Sequence, residues 1–339
     1  MQAPSSGKFT VGIGPTVPHT TWEPALRLIT EAEVAATLDS ATARAALRAA
    51  FLQHGRGQAE VLARHRSTAR HAGAALAISA MGAILEADTT AQGELPAVLG
   101  TKVYSAHNGR YHFVVTLFSA ATGAVIATLE ANELTRLRTA AATAVAADLL
   151  AAPQARVLAL FGAGLQARAH AQALVQVRQF ERVWVCARSG AEAFARQVAA
   201  DTGLPVTVTD AATAARTADM ILTATRSSEP LFDGAWVQPG CFVGAVGSST
   251  PCARELDDAL LARAAVVAVE WRTAAHAEAG ELVRAAAGVI PPERLLELGE
   301  LLLTPRARAA SDITVYKSVG IGLEDVALAR VVAHRWGAC

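Results

Sequence analysis

The sequence predicts an α/β protein built on a doubly wound parallel sheet, and three observations carry that prediction. From Arg156 onward, short apolar runs alternate with helical patterns, as strands and crossover helices do. At the head of that region stands ARVLALFGAGLQARAHAQ (155–172), an apolar run followed by a Gly-rich turn and a helical pattern. Before it, between Ala59 and Ile126, the apolar period shifts toward two and hairpin signals appear, which marks a separate, antiparallel-leaning β region. At 339 residues, two domains are the default.

Taken in order, Met1 to Trp22 is rich in Pro, Gly, Ser and Thr and is expected to be a flexible arm. Thr30 followed by Glu33 is a capping-box pattern that opens a helix, and a second helix is expected from Ser40 to His54, stopped by Gly55 and Gly57. Strands are expected at Ala74–Met81, Ala97–Tyr104, His112–Ser119 and Ala124–Leu129, with Asn108-Gly109 a strong hairpin turn. A long Ala-rich helix then runs from Ala131 to Ala152. The parallel strands are placed at Val157–Phe161, Val183–Cys186, Val206–Thr209, Met220–Thr225, Cys241–Val246 and Ala265–Val269. Helices are expected from the Gly-rich turn to Val177 and over Ala191–Ala200, Ala211–Thr217 and Glu255–Ala264. Beyond that sheet come a short strand, Ile313–Tyr316, and a terminal helix, Leu323 to Trp336, folding back onto the first region.

Composition narrows the function. Hydrophobic residues make up 52% of the chain and the formal net charge is zero, so nucleic acid and membrane surfaces, which call for a basic excess, are not expected partners. No apolar run reaches membrane-spanning length. The four cysteines are scattered without a C-x-x-C pair, which fits a reduced, cytoplasmic protein. His65/His71 and His107/His112 lack neighbouring ligands in metal-site spacing, so no metal is expected.

Gly162, Gly164 and Ala167 stand in G-x-G-x-x-A spacing, with Leu165 and Gln166 at the helix start. The first Gly permits a tight turn, and the second lets the backbone approach a pyrophosphate. Ala167 allows close helix–sheet packing, and the helix N-terminus offers free N–H groups. The second strand, RVWVCARS, ends in Ala187, Arg188 and Ser189 where an NAD-specific sheet carries an acid, so NADPH is expected to be preferred and NADH to bind more weakly. Thr223, Thr225, Val246 and Gly247 end the next two strands and should face the nicotinamide side. Arg66, Lys102 and Arg138 come from separate elements and could converge on one carboxylate; spacing does not show that they do.

With those residues noted, the chain resembles the ornithine cyclodeaminase/mu-crystallin family from Leu26 to Trp336. The likeness rests on LRLITEAEVAATL, HGRGQAEV, GTKVYS, ELTRLRTAAATAVAA, GAGLQARAH, ADMILTAT, VGSSTPCARELDD and VYKSVGIGLEDVALA. The resemblance implies a Rossmann domain (residues 146–311) inserted in a discontinuous α+β substrate-binding and dimerisation domain (23–145 plus 312–339), with homodimers formed through the β region. It implies that Arg66, Lys102 and Arg138 bind a substrate carboxylate and that Ser318 lies near the nicotinamide. It also implies that an Arg-Ser pair after the second strand goes with NADPH. Cyclodeaminases of the family carry an Asp where this chain has Ser249, two residues before Pro251, and members with Ser resemble ketimine reductases. The expected reaction is hydride transfer to C2 of a cyclic imine carboxylate (Δ1-pyrroline-2-carboxylate or Δ1-piperideine-2-carboxylate) giving L-proline or L-pipecolate. Lys102 and Ser249 both stand as proton donors. An ornithine or lysine cyclodeaminase, an alanine dehydrogenase-like oxidoreductase and a noncatalytic, crystallin-like binder are the alternatives.

Overall fold

The computed structural model describes residues 27–90 and 93–338, so the arm expected over residues 1–22 lies outside the described residues. Strand β1 (Arg27–Ile29) leads into helix α1 (Glu31–Thr37), where Thr30 and Glu33 form the reciprocal capping box that the sequence announces. Helix α2 (Ser40–Gly55) is capped by Asp39. Strands β2 (Ala59–His71), β3 (Ala74–Leu85), β4 (Asp88–Thr90), β5 (Gly93–Leu95), β6 (Val98–His107), β7 (Arg110–Ser119) and β8 (Val125–Glu130) follow. Six of these eight strands make one sheet in the order β1-β8-β7-β6-β3-β2, antiparallel except where β1 joins β8. Asn108 and Gly109, at φ 48° and 76°, turn the β6–β7 hairpin.

Strands β1 and β2 were not expected. Strand β2 carries Arg, His, Ser and Thr, and most of its side chains are exposed; its long antiparallel ladder with β3 holds it in place. A backbone ladder leaves no apolar periodicity to read.

Helix α3 (Asn132–Leu150) is buried on nearly every side, and its alanines let α2 and α4 approach closely. Then come β9 (Val157–Phe161), α4 (Leu165–Leu174), β10 (Arg182–Cys186), α5 (Ala191–Thr202), β11 (Val206–Val208), α6 (Ala211–Thr217), β12 (Met220–Thr223) and β13 (Phe242–Ala245). The chain continues through α7 (Asp258–Arg263), β14 (Ala264–Val269), α8 (Arg272–Glu278), α9 (Gly280–Val283), β15 (Leu295–Glu297), α10 (Leu298–Leu303), β16 (Ile313–Lys317) and α11 (Gly322–Arg335). The second sheet is parallel, in the order β11-β10-β9-β12-β13-β16-β14-β15.

One placement corrects the sequence reading. Strand β16, expected outside the parallel sheet, lies within it between β13 and β14, and all five of its residues are buried. The last strand of the chain therefore takes the sixth place of the doubly wound order. Helix α7 begins only at Asp258, because Glu255 and Leu256 stay outside the helix, and α4 ends at Leu174 rather than Val177. Helix α11 packs on the inner face of the first sheet, against β3 and β6, and one apolar cluster runs through both regions.

Candidate active site

The turn between β9 and α4 is built as the glycine spacing requires. Gly162 sits at φ 113°, and a Cβ there would lie 2.6 Å from the Ala224 carbonyl, so no other residue fits. Gly164 precedes α4, and a Cβ built on it meets nothing within 4 Å: the backbone looks onto open space of the kind a pyrophosphate fills. Ala167 is fully buried against the sheet. On one side of this turn a cavity of about 650 Å³ is lined by Gly162, Ala187, Arg188 and Ser189. On the other, a cavity of about 1130 Å³ is lined by Gly164, Leu165, Gln166, Thr225, Val246 and Gly247. The uncapped start of α4 and the open space on both sides of the turn are of the kind a dinucleotide pyrophosphate requires.

Next to the larger cavity lies a small one of about 190 Å³, which brings together Arg66, Lys102, Arg138, Gln166, Ser249 and Ser318. Gln166, Val246, Tyr111, Phe113 and Thr135 line both, so the cofactor trough opens directly onto the cations. The cations come from β2, β6 and α3, three elements far apart in sequence.

Each cation has its own surroundings. Lys102 is 1% exposed; its Nζ donates to Asp325 Oδ1 at 2.8 Å and lies near the Phe113 and Tyr104 rings. Burial pulls its pKa down from 10.5 to about 8; Asp325 opposes the shift and Arg138 adds to it. Arg138 donates to Glu324 Oε2 at 3.0 Å and faces Asp325 at 3.4 Å. Burial weighs against its charge, but Asp325 and Glu324 outweigh that and hold its pKa above the usual arginine value. Glu324 itself is pushed up to about 7 by burial, against the pull of Arg138. Arg66 is the most open of the three; it donates to Ser79 and to Tyr104 Oη at 3.2 Å and pairs with no carboxylate among the described residues.

Sequence reasoning missed several members of the site. Arg64 lines the same cavity, two residues before Arg66; it pairs with Glu278 and donates to the carbonyls of Val319 and Gly320. Asp325 and Glu324, in the GLED run, are the counterions of Lys102 and Arg138. Two carboxylates thus stand beside the cations, each already tied to one. A signal existed, since two adjacent acids at the start of a largely apolar, buried helix require partners. Tyr104, Tyr111 and Phe113 form an aromatic wall, with Tyr111 and Phe113 stacked at 5.8 Å and 8°.

Thr223 and Thr225, both expected near the cofactor, are engaged within the fold, and Thr225 also lines both chambers. Thr223 is fully buried and its hydroxyl donates to Glu255 Oε2 at 2.8 Å, while Thr225 N and Oγ1 both donate to Glu255 Oε1 at 2.7 Å. Gly247 N completes the set on Glu255 Oε2, so this buried carboxylate ties the ends of β12 and β13 together. Glu281 accepts from Glu255 N and pairs with Lys317, whose Nζ donates to the Ser248 carbonyl at 2.7 Å. The loop that presents Ser249 is thereby fixed from both sides. The Ser318 hydroxyl donates to Glu270, which also accepts from Tyr316 Oη and Gly320 N. No cluster of three or more potential metal ligands occurs among the described residues.

Comparison with known proteins agrees with this architecture. A sequence model described as the ornithine cyclodeaminase/mu-crystallin family matches residues 24–338. Ketimine reductase mu-crystallin of Mus musculus is 38% identical over 224 residues, 66% of this chain and 69% of that protein. The crystal structure of a probable ornithine cyclodeaminase from Bordetella pertussis Tohama I superposes with a TM-score of 0.85 at 41% identity, covering 93% of this chain and 98% of that one. Δ1-Pyrroline-2-carboxylate reductase of Thermococcus litoralis, solved in complex with NADH and L-proline, gives a TM-score of 0.82 at 25% identity over 91% of this chain and 97% of that one.

Proposed function

For a chain that belongs to the ornithine cyclodeaminase/mu-crystallin family, we propose reduction of a cyclic imine carboxylate by a nicotinamide cofactor, with NADPH preferred over NADH. One observation carries the reading: Arg66, Lys102 and Arg138 line the same small cavity as Ser249 and Ser318, and that cavity opens onto the larger of the two chambers flanking the glycine turn. Relatives named as ketimine and Δ1-pyrroline-2-carboxylate reductases support it.

When bound, the cofactor supplies the hydride. The protein's residues do the rest. Arg66, Lys102 and Arg138 receive the substrate carboxylate, which fixes the C2 carbon toward the trough and turns a bimolecular encounter into an oriented one. Tyr104, Tyr111 and Phe113 cover a planar, apolar ring and exclude water. Lys102, which lines the cavity, is assigned as the proton donor: with a pKa of about 8 it is mostly protonated at neutral pH yet gives up a proton readily. Ser249, a neutral hydroxyl on a fixed loop, orients the ring nitrogen or a water. No carboxylate occupies its position to accept a proton from an amine, so reduction is favoured over oxidative deamination. The product is the L-amino acid, proline or pipecolate.

Arg188 and Ser189, both exposed at the end of β10, are assigned to the 2′-phosphate. Asp210 lines the same chamber, but both its oxygens are taken by Thr213 at the cap of α6.

The test is a substrate panel followed by NADPH consumption: five- and six-membered cyclic imine carboxylates, keto acid plus methylamine, and ornithine assayed for ammonia. Turnover of a cyclic imine without ammonia release from ornithine is expected. Ammonia release as the dominant activity would overturn the assignment, and tight NADPH binding without turnover of any imine would favour a noncatalytic binder. Arg188→Ala should bring the NADPH and NADH affinities together by about tenfold or more; an unchanged ratio removes the 2′-phosphate assignment.

A further inference from the structure

The chambers on the two sides of the glycine turn share three lining residues, Ala224, Thr225 and Arg226, and only Arg226 carries a charge. The shared stretch is where the two halves of an extended dinucleotide must join. Ala224 packs on Gly162, whose missing Cβ makes the close approach possible, so the segment 224–226 is the opposite wall of the turn. Thr225 is held by Glu255, which fixes the backbone from which Arg226 projects. The guanidinium is exposed and pairs with no carboxylate among the described residues. Its one hydrogen bond among the described residues is a long one, 3.4 Å, to the Gly109 carbonyl at the tip of the β6–β7 hairpin. Arg136, which also lines the larger chamber, is committed to Glu133, and Arg64 and Arg138 of the small cavity are committed to Glu278 and Glu324. An exposed cation without a carboxylate partner among the described residues, at the junction of the two chambers, has the chemistry to meet a diphosphate.

We propose that Arg226 binds the pyrophosphate of the dinucleotide, adding a side-chain cation to the backbone amides of the glycine turn, while its contact with Gly109 holds it across the mouth of the trough. The assignment rests on the cofactor reading above. It differs from the role given to Arg188, because the pyrophosphate is common to both cofactors and the 2′-phosphate is not.

The test measures dissociation constants of the purified chain for NADPH and NADH by quenching of protein fluorescence, without substrate, in wild type, Arg226→Ala, Arg226→Lys and Arg188→Ala. Arg226→Ala is expected to weaken both cofactors equally, by about tenfold, and Arg226→Lys to recover most of that loss. The salt dependence of binding should flatten in Arg226→Ala, as one ion contact is lost. Unchanged affinities in Arg226→Ala overturn the proposal and leave the cofactor reading standing. Loss confined to NADPH also overturns it, since the side chain would then read the 2′-phosphate. A wild-type chain that binds neither cofactor sinks both readings at once. Arg226 is exposed, so thermal melting of the variants should match wild type, and a large drop would mean that the affinity loss came from misfolding and would count against a direct contact.

Discussion

Lys102 and Asp325 set the acid–base behaviour of the pocket between them. Burial lowers the Lys102 pKa to about 8, and the Asp325 carboxylate limits that fall. If the protonated amine serves the reaction, kcat/KM for imine reduction declines as pH rises through about 8. Asp325→Asn removes a stabiliser of the charged form, so the declining limb should move to lower pH while cofactor affinity stays near wild type. A pH profile that does not move would remove Lys102 from the proton transfer. Arg138 plays a second part as a counterion. Arg138→Met leaves Glu324 and Asp325 buried without it, and a loss of about 3–5 kcal/mol in denaturant unfolding is expected. Combining it with Glu324→Gln should restore part of that loss.

At the scale of elements, the loops at the ends of β12 and β13 are locked by Glu255, and the lock depends on Gly247. A Cβ at that position would overlap the Thr225 backbone and the Glu255 carboxylate. Gly247→Ala should therefore raise KM for cofactor and imine together and lower kcat, because that loop lines both the larger chamber and the small cation cavity. Helices α3 and α4 are joined by a buried hydrogen bond, Thr143 Oγ1 to His170 Nε2 at 3.0 Å, with His170 Nδ1 2.7 Å from the Gln166 carbonyl. Burial holds His170 neutral, with a pKa near 4 rather than 6.5. The unfolded chain binds its proton as pH falls through 6.5 and the folded chain only near 4. The stability linked to His170 is therefore complete above pH 6.5 and is lost across that window, by roughly 3 kcal/mol at most. Denaturation midpoints of His170→Gln should be flatter than wild type between those two pH values.

At the scale of the molecule, the six-stranded sheet covers only one face with its own helices. Leu28, Leu62, Ile78, Ile84 and Val114 lie on the other face by their pairing register and are 59%, 50%, 57%, 45% and 43% exposed. Apolar side chains spread over four strands are the surface that would be covered in the homodimer that the family resemblance implies. Ile78→Glu with Leu62→Glu should yield monomers in sedimentation velocity, while a wild-type monomer at micromolar concentration would refute the dimer. No described helix is long and apolar enough to cross a membrane.

The sequence by itself determined the parallel sheet, the glycine turn, the Asn108-Gly109 hairpin and the capping box at Thr30. Each is written in local spacing, where a few consecutive residues must adopt one conformation. Arg66, Lys102 and Arg138 were legible as residues but not as a cluster, because convergence depends on how β2, β6 and α3 pack. Only the tertiary structure placed β16 inside the second sheet, since a buried parallel strand carries no mark of its neighbours. Only it gave Lys102 and Arg138 their carboxylates and drew Thr223 and Thr225 onto Glu255. Such partners are chosen by burial: a charge or hydroxyl taken out of water must find whatever complementary group the fold brings within reach, however distant in the chain.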